Sequence, residues 1–106
     1  MNNVKLNLLA HYHAAGLEHY NRREYAQALK SFDRVLAMEP AFAEAHYGRA
    51  LVYSVLNRLN LAFYDLERAL QLAPRLKEMV NKDDRLRALK QSFWWRGKVG
   101  KLLRAA

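Results

Sequence analysis

Apolar side chains recur at steps of three and four residues along most of this chain, which is the spacing of one face of an α-helix. The pattern predicts four helices, over about residues 3–20, 24–38, 41–56 and 61–72. Polar turns at Asn21–Arg23 and Asn57–Asn60 divide them into two pairs, and Pro40 and Pro74 end the second helix of each pair. Proline suits these positions because the residue before it avoids the helical conformation.

The stretch Leu9–Pro74 contains the same pattern twice. Shifting the first copy by 34 residues places Ala28 on Ala62 and Pro40 on Pro74. The same shift pairs Tyr12 with His46, Ala15 with Arg49, Gly16 with Ala50, Tyr25 with Leu59, Phe32 with Leu66 and Val35 with Ala69. A fixed period of this length is typical of repeat proteins, in which stacked helix pairs bury a shared core.

These positions resemble the tetratricopeptide repeat (TPR), which has small residues where two helices cross and a proline after each pair. Both copies keep the small residue (Gly16, Ala50), the alanine (Ala28, Ala62) and the proline. Four residues depart from the family pattern, namely Ala15, Val35, His46 and Arg49. The resemblance implies an all-α fold, a right-handed α-solenoid of two helix–turn–helix units at residues 9–42 and 43–76 within a repeat region 1–74.

Beyond Pro74 the repeat pattern stops. Apolar stripes near 76–80, 86–93 and 95–103 predict short helices that are broken around Asn81–Asp84. We expect residues 75–106 to form a basic helical cap of the same domain, covering the apolar face of the last helix pair. Because repeat stacks usually need at least three units, either this cap or a second copy of the chain is expected to complete the stack.

Composition and charge narrow the classes of function. The 106 residues suit one domain, and 52% hydrophobic content is enough for a core. The net charge is +8, of which residues 1–74 carry +1 and residues 75–106 carry +7. There is no cysteine, which excludes disulfides and thiolate metal sites. The first ten residues do not read as a secretory signal, so we expect a cytoplasmic protein.

Candidate catalytic and metal-binding residues are scarce. His11 and His13 are two residues apart and point to different sides of a helix, unlike the four-residue spacing that binds zinc. His46 occupies a position where the repeat has a core aromatic, and the glycines do not form a phosphate-binding loop. The sequence therefore predicts no enzyme, no metal, no cofactor and no small-molecule substrate.

A concave groove is the binding surface that the resemblance implies, lined by the first helix of each pair. Its candidate residues here are His13, Leu17, Tyr20, Asn21, Glu44, Tyr47, Leu51 and Ser54. The family's carboxylate clamp is not expected, because only Lys82 keeps a cation at the matching positions and Glu78 would repel a carboxylate. The groove offers room for an apolar helix or peptide from another protein, from a second copy or from the chain's own tail. A further alternative is that the groove binds no partner and is only a solvated surface.

The basic tail is the second candidate surface. Its cations are Lys90, Arg96, Lys98, Lys101 and Arg104, which surround the aromatic residues Phe93–Trp95. Such a mixture can bind the phosphates and bases of nucleic acid, lie on an anionic membrane, or simply form an amphipathic cap. The primary hypothesis is a non-catalytic protein–protein interaction module that uses the groove. The alternative is an accessory nucleic-acid- or membrane-binding protein that acts through this tail.

Overall fold

The computed structural model describes residues 3–93 and 95–99, and this part of the chain is helical without any strand. It contains six α-helices, namely α1 (Asn3–Asn21), α2 (Tyr25–Met38), α3 (Ala43–Val55), α4 (Leu59–Leu72), α5 (Lys77–Lys82) and α6 (Arg87–Lys90). Short 3₁₀ turns at Pro74–Leu76 and Asp84–Leu86 lead into α5 and α6, and a π-helical turn follows at Trp95–Val99. None of these helices combines the length and apolar character that a membrane span requires.

Neighbouring helices pack against each other in sequence order: α1 on α2, α2 on α3 and α3 on α4. The prediction of an all-α fold with four main helices is confirmed. The predicted turn at Asn57–Asn60 was too long, since α4 already begins at Leu59. The physical reason is that Asn57 adopts a left-handed backbone conformation (φ 59°), which reverses the chain within one residue.

The backbone repeats with the same 34-residue period as the sequence. Arg23 (φ 62°) and Asn57 (φ 59°) are the two non-glycine residues with positive φ in the described chain, and they lie 34 positions apart. The next N–H group closes each turn: Glu24 donates to the His19 carbonyl and Arg58 to the Tyr53 carbonyl, both at 2.8 Å. Both helix pairs therefore reverse direction through the same local hydrogen-bonded turn.

Phe32 of α2 is central to the first half of the core. Its side chain is fully buried, and its ring lies between the backbones of α1 and α3 at Gly16 and Gly48. A Cβ atom at Gly16 would come within 2.6 Å of the ring, and one at Gly48 within 2.5 Å. These two glycines are therefore required by the close approach of the ring, and they allow α1, α2 and α3 to meet around one aromatic side chain.

The segment after α4 completes the second half of the core. Four apolar residues of this segment are at most 4% exposed and belong to one apolar cluster with residues of α3 and α4, namely Leu76, Val80, Leu86 and Leu89. They lie at intervals that place one side of α5, of α6 and of the turn between them against this pair of helices. Removal of apolar area from water is the main stabilising contribution of such a segment.

A buried polar network joins α2, α3 and α4. Asp65 is 1% exposed and accepts hydrogen bonds from Arg49 Nε at 2.7 Å and Nη2 at 2.8 Å. The His46 ring lies between Asp65 Oδ1 and the Pro40 carbonyl, with both N···O distances at 2.9 Å. Arg49 Nη1 also donates to Asp33 Oδ1 at 3.0 Å. His46 is thus buried, as the sequence indicated, but it is held by a carboxylate that the sequence analysis did not identify.

Candidate binding groove

A cavity of about 210 Å³ lies between α1, α3 and the segment that follows α4. It is lined by His13, Leu17, Glu44, Tyr47, Gly48, Leu51, Met79 and Arg85. We call this cavity the groove pocket. It brings together five of the eight residues predicted for the groove, and two further lining residues, Met79 and Arg85, come from the C-terminal segment.

Helical spacing explains why these residues meet. His13 and Leu17 are four residues apart on α1, and Glu44, Tyr47 and Leu51 follow at steps of three and four on α3, so each set shares one face. Phe32 contacts both α1 at Gly16 and α3 at Gly48, so the two helices lie close to each other. The His13 ring packs against the rings of Phe32 and Phe42, with centroid distances of 5.8 and 5.5 Å.

The floor of the groove pocket is apolar and its charged groups are already paired. Leu17 and Leu51 contribute aliphatic surface, while Met79 is 45% exposed and is therefore accessible at the rim. Glu44 accepts a hydrogen bond from Arg75 Nη2 at 2.7 Å. Burial acts to raise the pKa of Glu44, but the bond from Arg75, a backbone hydrogen bond and the nearby charges of Arg75 and His13 together outweigh it, so the pKa is lowered. Such a pocket can accept an apolar side chain without exposing an unpaired charge to it.

The hydroxyl of Tyr47 is held inside the protein by its own C-terminal segment. Tyr47 is 5% exposed and donates a hydrogen bond to Asp83 Oδ2. Burial, then the hydrogen bond and the negative charge of Asp83, raise the pKa of Tyr47 well above its ordinary value. The phenol therefore stays a neutral donor at every ordinary pH. The sequence predicted Tyr47 as a groove residue that contacts a partner. In the structure its hydroxyl group is hydrogen-bonded to Asp83 of the same chain.

Asp83 is the centre of the contacts that fix the C-terminal segment. Its carboxylate also accepts hydrogen bonds from the Arg85 backbone N–H, from Nε at 2.9 Å and from Nη2 at 2.7 Å. Burial alone would raise its pKa, but the bonds from Arg85 and Tyr47 prevail and lower the pKa of Asp83 to about 2. Lys90 Nζ donates to the carbonyls of Asn81 and Asp83, at 2.8 and 3.0 Å.

We expect the contribution of Asp83 to stability to disappear in acid. A pKa near 2 in the folded chain, against an ordinary value of 3.8, means that the folded state holds the ionised form more strongly than the unfolded state does. The stabilisation, on the order of 2 kcal/mol, is present above pH 4 and is lost as the pH falls toward 2. Urea unfolding at pH 7 should show Asp83→Asn less stable than wild type by about this amount.

The matched control is Asp84→Asn, because Asp84 is exposed and makes no ion pair within the described residues. Its free energy of unfolding should stay within about 0.5 kcal/mol of wild type. At pH 2 the difference between wild type and Asp83→Asn should have largely closed. A difference that is as large at pH 2 as at pH 7 would contradict the assignment of this stability to the ionised carboxylate.

The remaining predicted groove residues lie beside the groove pocket without lining it. Tyr20 is half-buried against Tyr25, with ring centroids 5.9 Å apart, and burial raises its pKa. Asn21 is exposed at the end of α1. Ser54 is 1% exposed, and its hydroxyl makes no hydrogen bond.

The predicted basic tail is only partly within the described residues. Lys90 is bonded to two backbone carbonyls and its ammonium lies 5.9 Å from the centre of the Trp95 ring, so it supports the fold. Arg96 is exposed. Lys101 and Arg104, and the side chain of Lys98, lie outside the described part of the chain.

No protein-family model matches this chain, and no solved structure is significantly similar to it. Within residues 3–93 and 95–99, no three His, Asp or Glu side chains lie close enough together to hold a metal ion. The groove pocket and the repeated backbone are therefore the features from which a function can be inferred.

Proposed function

We propose that this chain is a TPR-like protein–protein interaction module without catalytic activity, which holds a peptide or a helix in the groove between α1, α3 and α5. In this proposal α1–α4 form two units of a right-handed solenoid, and the segment after α4 takes the place of a third unit. The partner lies across the groove and inserts an apolar side chain into the groove pocket.

The groove pocket is the observation that carries the proposal. Residues from three separate stretches of the chain form one apolar floor beside an accessible rim residue, Met79. A volume of about 210 Å³ is below the roughly 300–1,000 Å³ of typical small-molecule sites, and it suits a single side chain of a larger partner. Extended or helical peptides commonly use such anchors in apolar grooves.

The repeated backbone supports the same proposal. Matching turns at Arg23 and Asn57 connect the two helices of each pair through the same local backbone, as we expect if α1 and α3 are corresponding helices of a repeat. Binding proteins built from repeats use the surface formed by such corresponding helices. Tyr47 and Leu51 are buried and shape this surface from beneath, while Met79 and Leu17 are available to touch a partner.

Selection from a random peptide library on the full chain tests the proposal. We expect enrichment of peptides with a fixed apolar residue, and at least about a tenfold loss of their affinity for Met79→Glu, since a charge at the rim opposes entry of an apolar anchor. The control is Leu61→Glu, since Leu61 on α4 is similarly exposed (39%) and does not line the groove pocket. Peptides that bind both variants as they bind wild type would contradict the proposal.

A further inference from the structure

A second cavity, of about 450 Å³, lies between the end of α3 and α6 on the other side of Arg85. Its polar lining residues are Ser54, Asn57, Arg85, Arg87 and Gln91. Arg85 lines this cavity and the groove pocket as well, so the two adjoin each other. No Asp or Glu side chain lines the second cavity, although Arg85 is bonded to Asp83 nearby.

The donors around this cavity are largely unused. The Ser54 hydroxyl is buried and has no hydrogen-bond partner, which is uncommon for a buried polar atom and calls for an explanation. The side chains of Asn57, Arg87 and Gln91 make no hydrogen bond or ion pair within the described residues. Arg85 uses Nε and Nη2 on Asp83, which leaves Nη1 outside those bonds.

We propose that this cavity is a subsite for an oxyanion, a carboxylate or phosphate carried by the peptide that occupies the groove. Guanidinium and amide groups donate hydrogen bonds, and Arg87, which makes no ion pair within the described residues, adds the positive charge that an ionised group requires. The identity of the carrier rests on the proposed function, because the shared residue Arg85 places the subsite next to the groove pocket. The bound partner is therefore an acidic peptide with an apolar anchor.

The position of the cavity at the end of α3 does not oppose an anion. The carbonyl groups at a helix C-terminus carry partial negative charge. Here the carbonyls of Val52, Tyr53 and Ser54 accept hydrogen bonds from the N–H groups of residues 56–58, so the turn already satisfies them. The charge of Arg85 is largely offset by its ion pair with Asp83, so Arg87 supplies the uncompensated positive charge of the cavity. A cation would be repelled by Arg87, and an apolar group would leave the donors of Arg87, Asn57 and Gln91 unused.

Titration of the full chain with inorganic phosphate, at constant ionic strength and followed by NMR, tests the subsite without knowledge of the partner. The side-chain amide signals of Asn57 and Gln91 and the Nε–H signals of both arginines should shift together. Arg87→Gln should weaken phosphate binding by about tenfold or more, as expected for a lost charge-assisted hydrogen bond.

The matched control is Lys77→Gln, which removes one positive charge from a residue that lines neither cavity. It should leave phosphate binding within about twofold of wild type, because Lys77 lines neither cavity and salt screens longer-range charge. Equal losses for Lys77→Gln and Arg87→Gln would show general attraction to a basic surface and would overturn the inference. Unchanged binding by Arg87→Gln would overturn it as well.

Library-selected peptides identify the carrier and separate this inference from the proposed function. Replacing their acidic residue by Gln should reduce affinity for the wild-type chain clearly more than affinity for Arg87→Gln. The inference would be overturned by peptides that require Met79 but bind with the same affinity after either change, the acidic residue to Gln in the peptide or Arg87→Gln in the protein. The groove proposal would still stand in that case. Phosphate binding at the subsite without any Met79-dependent peptide would contradict the groove proposal and the peptide as carrier. Displacement of phosphate by single-stranded DNA, but not by these peptides, would also overturn the peptide as carrier.

Discussion

Replacement of Asp65 by Ala should lower the free energy of unfolding by about 3–5 kcal/mol. Asp65 is 1% exposed and is the shared acceptor for Arg49 and His46 between α3 and α4. Without it, the half-buried guanidinium of Arg49 keeps only its bond to the exposed Asp33, and a poorly compensated buried charge is strongly destabilising. Urea unfolding at pH 7, followed by far-UV circular dichroism, measures the change.

Asp33→Ala is the matched control for Asp65→Ala. Asp33 also accepts a hydrogen bond from Arg49, at 3.0 Å, but its side chain is 58% exposed. Exposed ion pairs contribute little, so its removal should cost no more than about 1 kcal/mol. Equal effects of the two substitutions would contradict the view that burial gives Asp65 its importance.

The first repeat copy provides a rescue for the Asp65 variant. Its residues at the positions of His46, Arg49 and Asp65 are Tyr12, Ala15 and Ser31. The triple replacement His46→Tyr, Arg49→Ala and Asp65→Ser removes every charge of the buried pair at once. Because a complete replacement of a buried ionic group is often close to neutral, the triple variant should be more stable than Asp65→Ala alone.

Replacement of Phe32 by Ala should cost about 3–5 kcal/mol, the second of the two large effects. The ring is fully buried and is the common contact of α1, α2 and α3 at Gly16 and Gly48. Its removal leaves a cavity that helices already in close approach can fill only in part. Thermal unfolding or urea unfolding of the full chain measures this loss.

Gly48→Ala provides a sharper test of the same packing through a double-mutant cycle. In the wild-type background the new Cβ would lie 2.5 Å from the Phe32 ring, and the ring cannot move away freely because it also contacts α1 at Gly16. This overpacking should cost about 1–3 kcal/mol. In the Phe32→Ala background that contact is gone, and Ala should stabilise α3 by up to about 1 kcal/mol as the better helix former. Additive effects of the two substitutions would contradict the packing described.

The helical pattern was sufficient to predict α1–α4, because apolar positions at helical spacing report directly on which side of each helix is buried. Residue-level detail at the turns was less predictable. The sequence placed Asn57–Asn60 in a turn, yet the single left-handed residue Asn57 reverses the chain and Leu59 already belongs to α4. Backbone conformation at one residue is not visible in hydrophobic periodicity.

The polar network was missed because its members are far apart in the sequence and each is unremarkable alone. Asp65 reads as one acidic residue on α4, and Arg49 reads as a departure from the repeat pattern. The useful signal was their joint change: Tyr12, Ala15 and Ser31 of the first copy are replaced by His46, Arg49 and Asp65, an acid together with two basic side chains. Three polar substitutions at buried positions of one repeat indicate that they satisfy each other.

The groove was predictable only where the repeat pattern holds. His13, Leu17 and Leu51 follow from their positions on the first helix of each pair, and they line the groove pocket. Met79 and Arg85 lie in the segment where the pattern stops, so no periodicity indicated that they would meet α3. The bond from Tyr47 to Asp83 spans 36 residues and depends on how that segment folds back.

Methyl NMR of the full chain with a library-selected peptide tests the central proposal most directly. We expect the methyl signals of Leu17, Leu51 and Met79, which share the groove pocket, to shift together and to saturate with the peptide. The signals of Leu61 on α4 should remain unchanged. Saturable shifts confined to α4 or to residues 95–99, with the groove methyl groups unaffected, would contradict a groove that binds a peptide.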